Sequence, residues 1–212
     1  MNLAGWIPAV FGLASRARAA GPTGRKLRIV ALGDSLTAGY GLPASEGFTA
    51  VLEKALQQDG FDVSIINAGV SGDTAGGGLS RLDWAIGDGA DGLILELGAN
   101  DMLRGIDPGV TRQALEAIMD RLSERKIKVL IAGMRASPSL GEDYKHTFDR
   151  IYPDLAAKYK SLIYPFFLQG VTGDKTLVQA DGLHPNAEGV AKIVKGILPQ
   201  AENFLRGIAA AG

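Results

Sequence analysis

Short apolar runs alternate along this chain with stretches whose apolar positions recur every three or four residues. Residues 27–32 (LRIVAL) are apolar and β-branched, the pattern of a buried strand. In residues 48–58, Phe48, Val51, Leu52, Ala55 and Leu56 share one helical face. Residues 62–66, 93–97 and 128–131 read as further strands. Residues 79–86 and 110–125 read as helices, the second with Leu115, Ile118, Met119 and Leu122 aligned. Residues 144–159 look helical, although Pro153 should kink or split them. Residues 162–167 hold a last strand interrupted by Pro165, and 186–206 read as a terminal helix with a break expected near Pro199. Repeated strand–helix alternation predicts an α/β fold with a parallel sheet covered on both faces. In such a sheet, sites form at the carboxyl ends of the strands.

Ahead of this region the pattern changes. Residues 1–14 (MNLAGWIPAVFGLA) are apolar and uncharged, and Ala17-Arg18-Ala19 follows. A short apolar run before a small-residue triplet resembles a secretory signal, but the basic amino-terminal region is missing and Pro8 interrupts the run. The stretch is too short to span a bilayer. An export signal, an amphipathic docking segment and a disordered tail all fit it. Export to the periplasm or beyond is slightly favoured over a cytoplasmic location. Gly21-Pro22-Thr23-Gly24 reads as a linker, which makes 1–25 an appendage and 26–212 the domain.

Composition narrows the chemistry. The chain has 212 residues, no cysteine and two histidines. Without cysteine there is no disulfide, thiolate nucleophile, iron–sulfur cluster or Cys-type zinc site, and two histidines make a His-rich metal site improbable. A net charge of −1 argues against a nucleic-acid footprint. The 29 glycines, about twice the usual ~7% share, point to many tight turns.

Those turns coincide with polar residues at strand exits. The first exit is Gly33-Asp34-Ser35-Leu36, which places Ser35 at the upper rim of the sheet. The second is Ser71-Gly72-Asp73-Thr74, where Asp73 or Thr74 can cap a helix and the Gly72 amide can face a cleft. At the third, Gly98-Ala99-Asn100-Asp101, Asn100 can offer an amide N–H to a developing negative charge, while Asp101 reads as a structural acceptor. The last motif is Asp181-Gly182-Leu183-His184-Pro185. Here the carboxylate can hold one imidazole nitrogen and leave the other free as a base, with Pro185 suited to the first position of the next helix. Each feature also has a plain structural reading, a turn cap or a glycine bend. His146, among Glu142, Asp143 and Lys145, reads as a solvated face residue. No phosphate loop and no Gly-x-Ser-x-Gly elbow is present.

In this order, the four blocks resemble the SGNH, or GDSL, hydrolases. Ser71-Gly72-Asp73-Thr74, Ile151-Tyr152-Pro153 and Pro165-Phe166-Phe167 look most like the bacterial branch of arylesterases and acyl-CoA thioesterase/lysophospholipases. The resemblance covers residues 26–198, with Ala99 where the family often has Gly. It implies a three-layer αβα sandwich with about five parallel strands and a shallow cleft. Ser35 is then the nucleophile, His184 the general base, Asp181 its orienting carboxylate, and the Ser35 N–H, Gly72 N–H and Asn100 side chain the oxyanion hole. The implied substrate is a small-molecule ester, aryl or short-to-medium acyl, with thioesters and lysophospholipids in range. The resemblance implies neither a cofactor nor a metal; the charge balance argues against a nucleic-acid partner, the short apolar run against an integral membrane span, and homo-oligomerisation stays open. Leu36, Tyr40, Leu42 and Pro43 either line an acyl pocket or pack a loop. An acyltransferase or carbohydrate acetylesterase on the same site, a non-catalytic binder and a nucleotide-binding protein are the alternatives.

Overall fold

The computed structural model describes residues 25–87 and 89–210. The expectations for the first twenty residues therefore lie outside the described part. The five strands are β1 (Leu27–Gly33), β2 (Val63–Gly69), β3 (Gly92–Glu96), β4 (Lys128–Ala132) and β5 (Leu162–Tyr164). They form one parallel sheet in the order β2-β1-β3-β4-β5. The strands of its middle read as continuous apolar runs because both faces are covered: Ile29, Val30, Ala31 and Leu32 of β1 and Leu93, Ile94 and Leu95 of β3 are buried.

Helices α2 (Phe48–Gln58) and α9 (Ala187–Ala209) pack together against β2, β4 and β5. On the other face, α3 (Ala75–Ser80), α4 (Leu82–Ile86), α6 (Pro108–Glu124) and α8 (Ile151–Tyr159) pack on one another and on β1, β4 and β5. Two short helices, α1 (Ser35–Ala38) and α5 (Ala99–Leu103), start at the ends of β1 and β3. None of the described helices is long and apolar enough to cross a membrane.

Several elements depart from the sequence pattern for identifiable reasons. Strand β2 runs on to Gly69 because Asn67, Ala68 and Gly69 pair in register with Ala31, Leu32 and Gly33. The helix expected over 79–86 breaks at Arg81, whose guanidinium reaches back to the strand ends. The one expected over 144–159 splits at Arg150 into α7 (Glu142–Asp149) and α8, which puts Pro153 in the first turn of α8, where its missing N–H costs no helical bond. The break expected near Pro199 does not occur. Proline inside a helix costs ~3 kcal/mol, but Val190, Ile193, Val194, Ile197, Ala201, Phe204 and Leu205 bury one continuous stripe across it. Each large side chain so buried is worth roughly 1.5–3 kcal/mol, so packing outweighs the lost bond. Pro185 does not open α9 either: Asn186 caps the helix, its side chain accepting the Gly189 N–H at 3.0 Å.

Candidate active site

In a parallel sheet the exits of β1, β2 and β3 share one end of the molecule. Strand β1 ends on Gly33, and the chain turns at once into α1. Asp34 caps that helix by accepting the Leu36 N–H at 3.0 Å. Ser35 becomes its first residue, and the Ser35 N–H has no acceptor among the described residues. Only glycine fits at position 33, since a Cβ there would lie 2.0 Å from Thr37 Oγ1 and 2.7 Å from the Glu96 carbonyl oxygen. Beyond β2, the Asp73 N–H donates to the Val70 carbonyl at 3.1 Å and closes a turn with Gly72 at φ +86°. That left-handed backbone is strained for any residue with a Cβ. The Gly72 N–H also lacks an acceptor among the described residues, and Thr74 caps α3 by accepting the Gly77 N–H.

The loop between β5 and α9 brings Asp181 and His184 over Ser35. His184 Nε2 lies 2.9 Å from Ser35 Oγ, and His184 Nδ1 lies 2.6 Å from Asp181 Oδ2. A carboxylate accepts only, so Nδ1 carries the proton and Nε2 is free to accept from the serine hydroxyl. The other Asp181 oxygen accepts the Leu183 and His184 backbone N–H groups at 2.9 and 3.0 Å. With the imidazole bond, these hold the Asp181 carboxyl down at about 2. The Tyr40 ring lies against the imidazole, centroids 4.6 Å apart.

Asn100, in the first turn of α5, reaches across to both other exits. Its Nδ2 donates to Asp34 Oδ2 at 3.1 Å and to the Asp73 carbonyl at 3.0 Å. One of these acceptors belongs to the residue before Ser35 and the other to the residue after Gly72, so the amide bridges the first and second exits. Asp101 turns away: it is buried and accepts from the Ala75 N–H and the Thr111 hydroxyl, the structural role expected of it. His146 is exposed on α7.

Three residues that matter here, Arg81, Arg104 and Glu96, were not singled out from the sequence, and Tyr152 was noted there only as part of a family motif. Arg81 donates to the carbonyls of Gly33 and Ala68 at 2.9 and 2.8 Å and pairs with Asp73 at 2.5 Å, tying the β1 and β2 exits together. Arg104 donates to the Gly72 carbonyl at 2.7 Å. Tyr152 donates to the Leu97 carbonyl beneath the third exit. Glu96, at the last position of β3, is fully buried below Thr37 and Asp34. A glutamate inside an otherwise apolar strand was a visible signal for the last of these. Burial pushes the Asp34 carboxyl up to about 6, against hydrogen bonds from Leu36, Asn100 and Glu96 that lower it, while burial and then the Asp34 charge push the Glu96 carboxyl well above its usual range.

The site is open. Leu36, Gly39, Tyr40 and Leu42 line a small pocket beside Ser35 and His184. Tyr40, Val70, Leu103 and Leu183, one near each exit or motif, expose large apolar surfaces around it. A roomier groove lies at the opposite end of the strands, between Lys128, Leu162 and Phe204, and none of Ser35, Gly72, Asn100, Asp181 and His184 lines it. Among the described residues no cluster of three or more His, Asp or Glu is placed to hold a metal ion.

Residues 31–192 match the model of the GDSL-like Lipase/Acylhydrolase family. The chain belongs to this family. It is 36% identical over 178 residues to Esterase TesA of Pseudomonas aeruginosa, covering 84% of this chain and 89% of that protein. It is 36% identical over 161 residues to Thioesterase 1/protease 1/lysophospholipase L1 of Escherichia coli K12, covering 76% of each. Among solved structures, the SGNH-hydrolase family esterase AlinE4 shares 45% identity at a TM-score of 0.73, over 85% of this chain and 97% of that one. As a GDSL family member this chain carries the five-stranded sheet and strand-exit blocks its sequence led one to expect.

Proposed function

We propose that this chain, an ester hydrolase by family, cleaves carboxylic esters through an acyl-enzyme on Ser35. The observation that carries this reading is the unbroken line from Ser35 Oγ to His184 Nε2 and from His184 Nδ1 to Asp181. His184 takes the serine proton as Oγ attacks the carbonyl carbon, then gives it to the leaving alcohol, phenol or thiol. Asp181 holds the tautomer and stabilises the imidazolium. Water, activated by His184, then cleaves the acyl-enzyme and restores Ser35.

The tetrahedral oxyanion falls to the Ser35 and Gly72 N–H groups and to Asn100. Both Asn100 amide hydrogens already have acceptors, one a carboxylate and the other the neutral Asp73 carbonyl. An oxyanion is the stronger acceptor, so it draws the second hydrogen from Asp73 as charge develops while Asp34 keeps the first. That is differential stabilisation of the transition state.

The apolar rim of Tyr40, Val70, Leu103 and Leu183 over an open cleft favours aryl and short-to-medium acyl groups. Relatives named as esterase and as thioesterase/lysophospholipase support a range that extends to thioesters and lysophospholipids. A panel of p-nitrophenyl esters of graded chain length, acyl-CoAs and lysophospholipids, compared by kcat/KM, tests the substrate reading. Ser35→Ala should lose turnover and fluorophosphonate labelling while keeping its circular dichroism spectrum. If it keeps more than about a tenth of the activity, a serine mechanism is excluded, since removing a triad nucleophile costs orders of magnitude.

A further inference from the structure

One fully buried ionisable group takes no part in this chemistry. Glu96 ends β3 directly opposite Gly33 of β1. Its Oε2 accepts the Thr37 hydroxyl at 2.8 Å, and its Oε1 meets no donor. An ionised carboxylate with an empty oxygen in such a place costs several kcal/mol. The neutral acid has no such cost, because the idle oxygen becomes a donor, and the Asp34 side chain lies within hydrogen-bonding contact. Asp34 in turn receives Leu36 N–H on one oxygen and Asn100 Nδ2 on the other.

We propose that Glu96 is a positioning residue for the oxyanion donor: as the neutral acid it donates its carboxyl hydrogen to Asp34, and this bond fixes the Asp34 carboxylate where it holds the Asn100 amide. The hydrogen stays on Glu96 throughout the reaction. No proton moves, and the catalytic groups are those already named.

The surroundings fit a single shared hydrogen. From α1 comes the Thr37 hydroxyl, and from α8 the Tyr152 phenol, which burial and the nearby carboxyls keep neutral. Asp101 of α5 has its oxygens engaged by Ala75 and Thr111. His184, when protonated, favours the ionised form of Asp34. Arg81, the cation at this turn, commits its guanidinium to Asp73 and to the Gly33 and Ala68 carbonyls. Burial and the Asp34 charge both push the Glu96 carboxyl upward, so Glu96 is the partner that keeps the hydrogen.

The proposal rests on reading Asn100 as an oxyanion donor. Glu96→Gln keeps a neutral donor for Asp34 and an acceptor for Thr37, so kcat should stay within roughly threefold of the parent. Glu96→Leu removes the donor. It should lower kcat on the order of tenfold, part of the loss expected when an oxyanion donor is deleted, with KM little changed and Tm lowered, since the buried Thr37 hydroxyl loses its acceptor. Combined with Asn100→Ala, Glu96→Leu should cost nothing further, because both act through one amide. Should the leucine variant fail to fold, the infrared C=O band of a protonated carboxyl, present at pH 7 in the parent and lost in Glu96→Gln, decides. Multiplying losses in the double variant, a leucine variant of normal kcat, or absence of that band each overturns the proposal. A normal kcat in Asn100→Ala alone overturns the reading beneath it.

Discussion

Deleting the Asn100 amide tests the oxyanion role proposed for it, although the same nitrogen also ties the strand exits together at rest. At rest, Asn100→Ala removes one bond to a carboxylate at 3.1 Å and one to a carbonyl at 3.0 Å. Bonds to charged groups contribute about 1.5–3 kcal/mol and neutral ones about 1, and Asn100 and Asp73 are partly open to water that can replace the amide there, whereas Asp34 is buried. A net loss of about 1–2 kcal/mol follows, a fall in Tm of roughly 2–8 °C for a chain this size. During reaction, loss of one oxyanion donor costs about 2.7–4 kcal/mol, or roughly 10²–10³ in kcat. Because the oxyanion forms only in the transition state, KM should stay within a few-fold. Steady-state kinetics on a p-nitrophenyl ester, with thermal melts of the same samples, measure both effects. Asn100→Asp should be worse above pH 6, where it sets a second carboxylate against Asp34 Oδ2. It should recover relative to Asn100→Ala as the pH falls and the pair takes up a proton. A kcat for Asn100→Ala within about threefold of the parent, or a loss confined to KM, refutes the oxyanion assignment.

Asp181→Asn should slow kcat/KM by roughly 10⁴, since its oxygen stays with the two backbone N–H groups and its NH₂ meets Nδ1, forcing the proton onto Nε2; a loss under tenfold counts against the orienting role. Asp181 lies below its ordinary value, so the stability it adds is present above about pH 4 and lost as pH falls towards 2, and melts of parent and Asp181→Asn should converge in acid. Gly72→Ala keeps its N–H and meets only the flexible end of Arg104, at 3.7 Å, but puts a side chain at φ +86°. It should lose about 1–2 kcal/mol of stability and less than tenfold in kcat; a loss as large as that of Asn100→Ala would mean that the turn itself has moved.

The sheet was legible in the sequence because buried parallel strands are short apolar runs, and the motif residues fall where those runs stop. Helix continuity was harder to read. Pro199 looked like an end, and only the buried stripe from Val190 to Ile208 shows why it is not. Conversely, 79–86 looked continuous, and the break at Arg81 depends on carbonyls that belong to other strands. The Asp181–His184 pair could be inferred from spacing alone because its bonds are local. The Asn100–Asp34 bond spans 66 positions and exists only after β1 and β3 have paired. Glu96 read as a strand residue because five-residue periodicity carries no information about what lies above the strand end.

The site is assembled from parts that reach over very different distances in the sequence. The Ser35, Gly72 and Asn100 donors are anchored to adjacent strand ends, bridged by Arg81 and Asp34. Asp181 and His184 are instead held by bonds that span two or three residues, and Oγ–Nε2, the Tyr40 ring and the Gln179 amide, which donates to the Tyr40 carbonyl, link their segment to Ser35 and the turn after it. The internal geometry of the Asp181–His184 pair is therefore set within one segment, and its placement over Ser35 by the Gln179 and Tyr40 contacts. For anyone reshaping this enzyme, that makes the segment between β5 and α9 the natural unit to exchange.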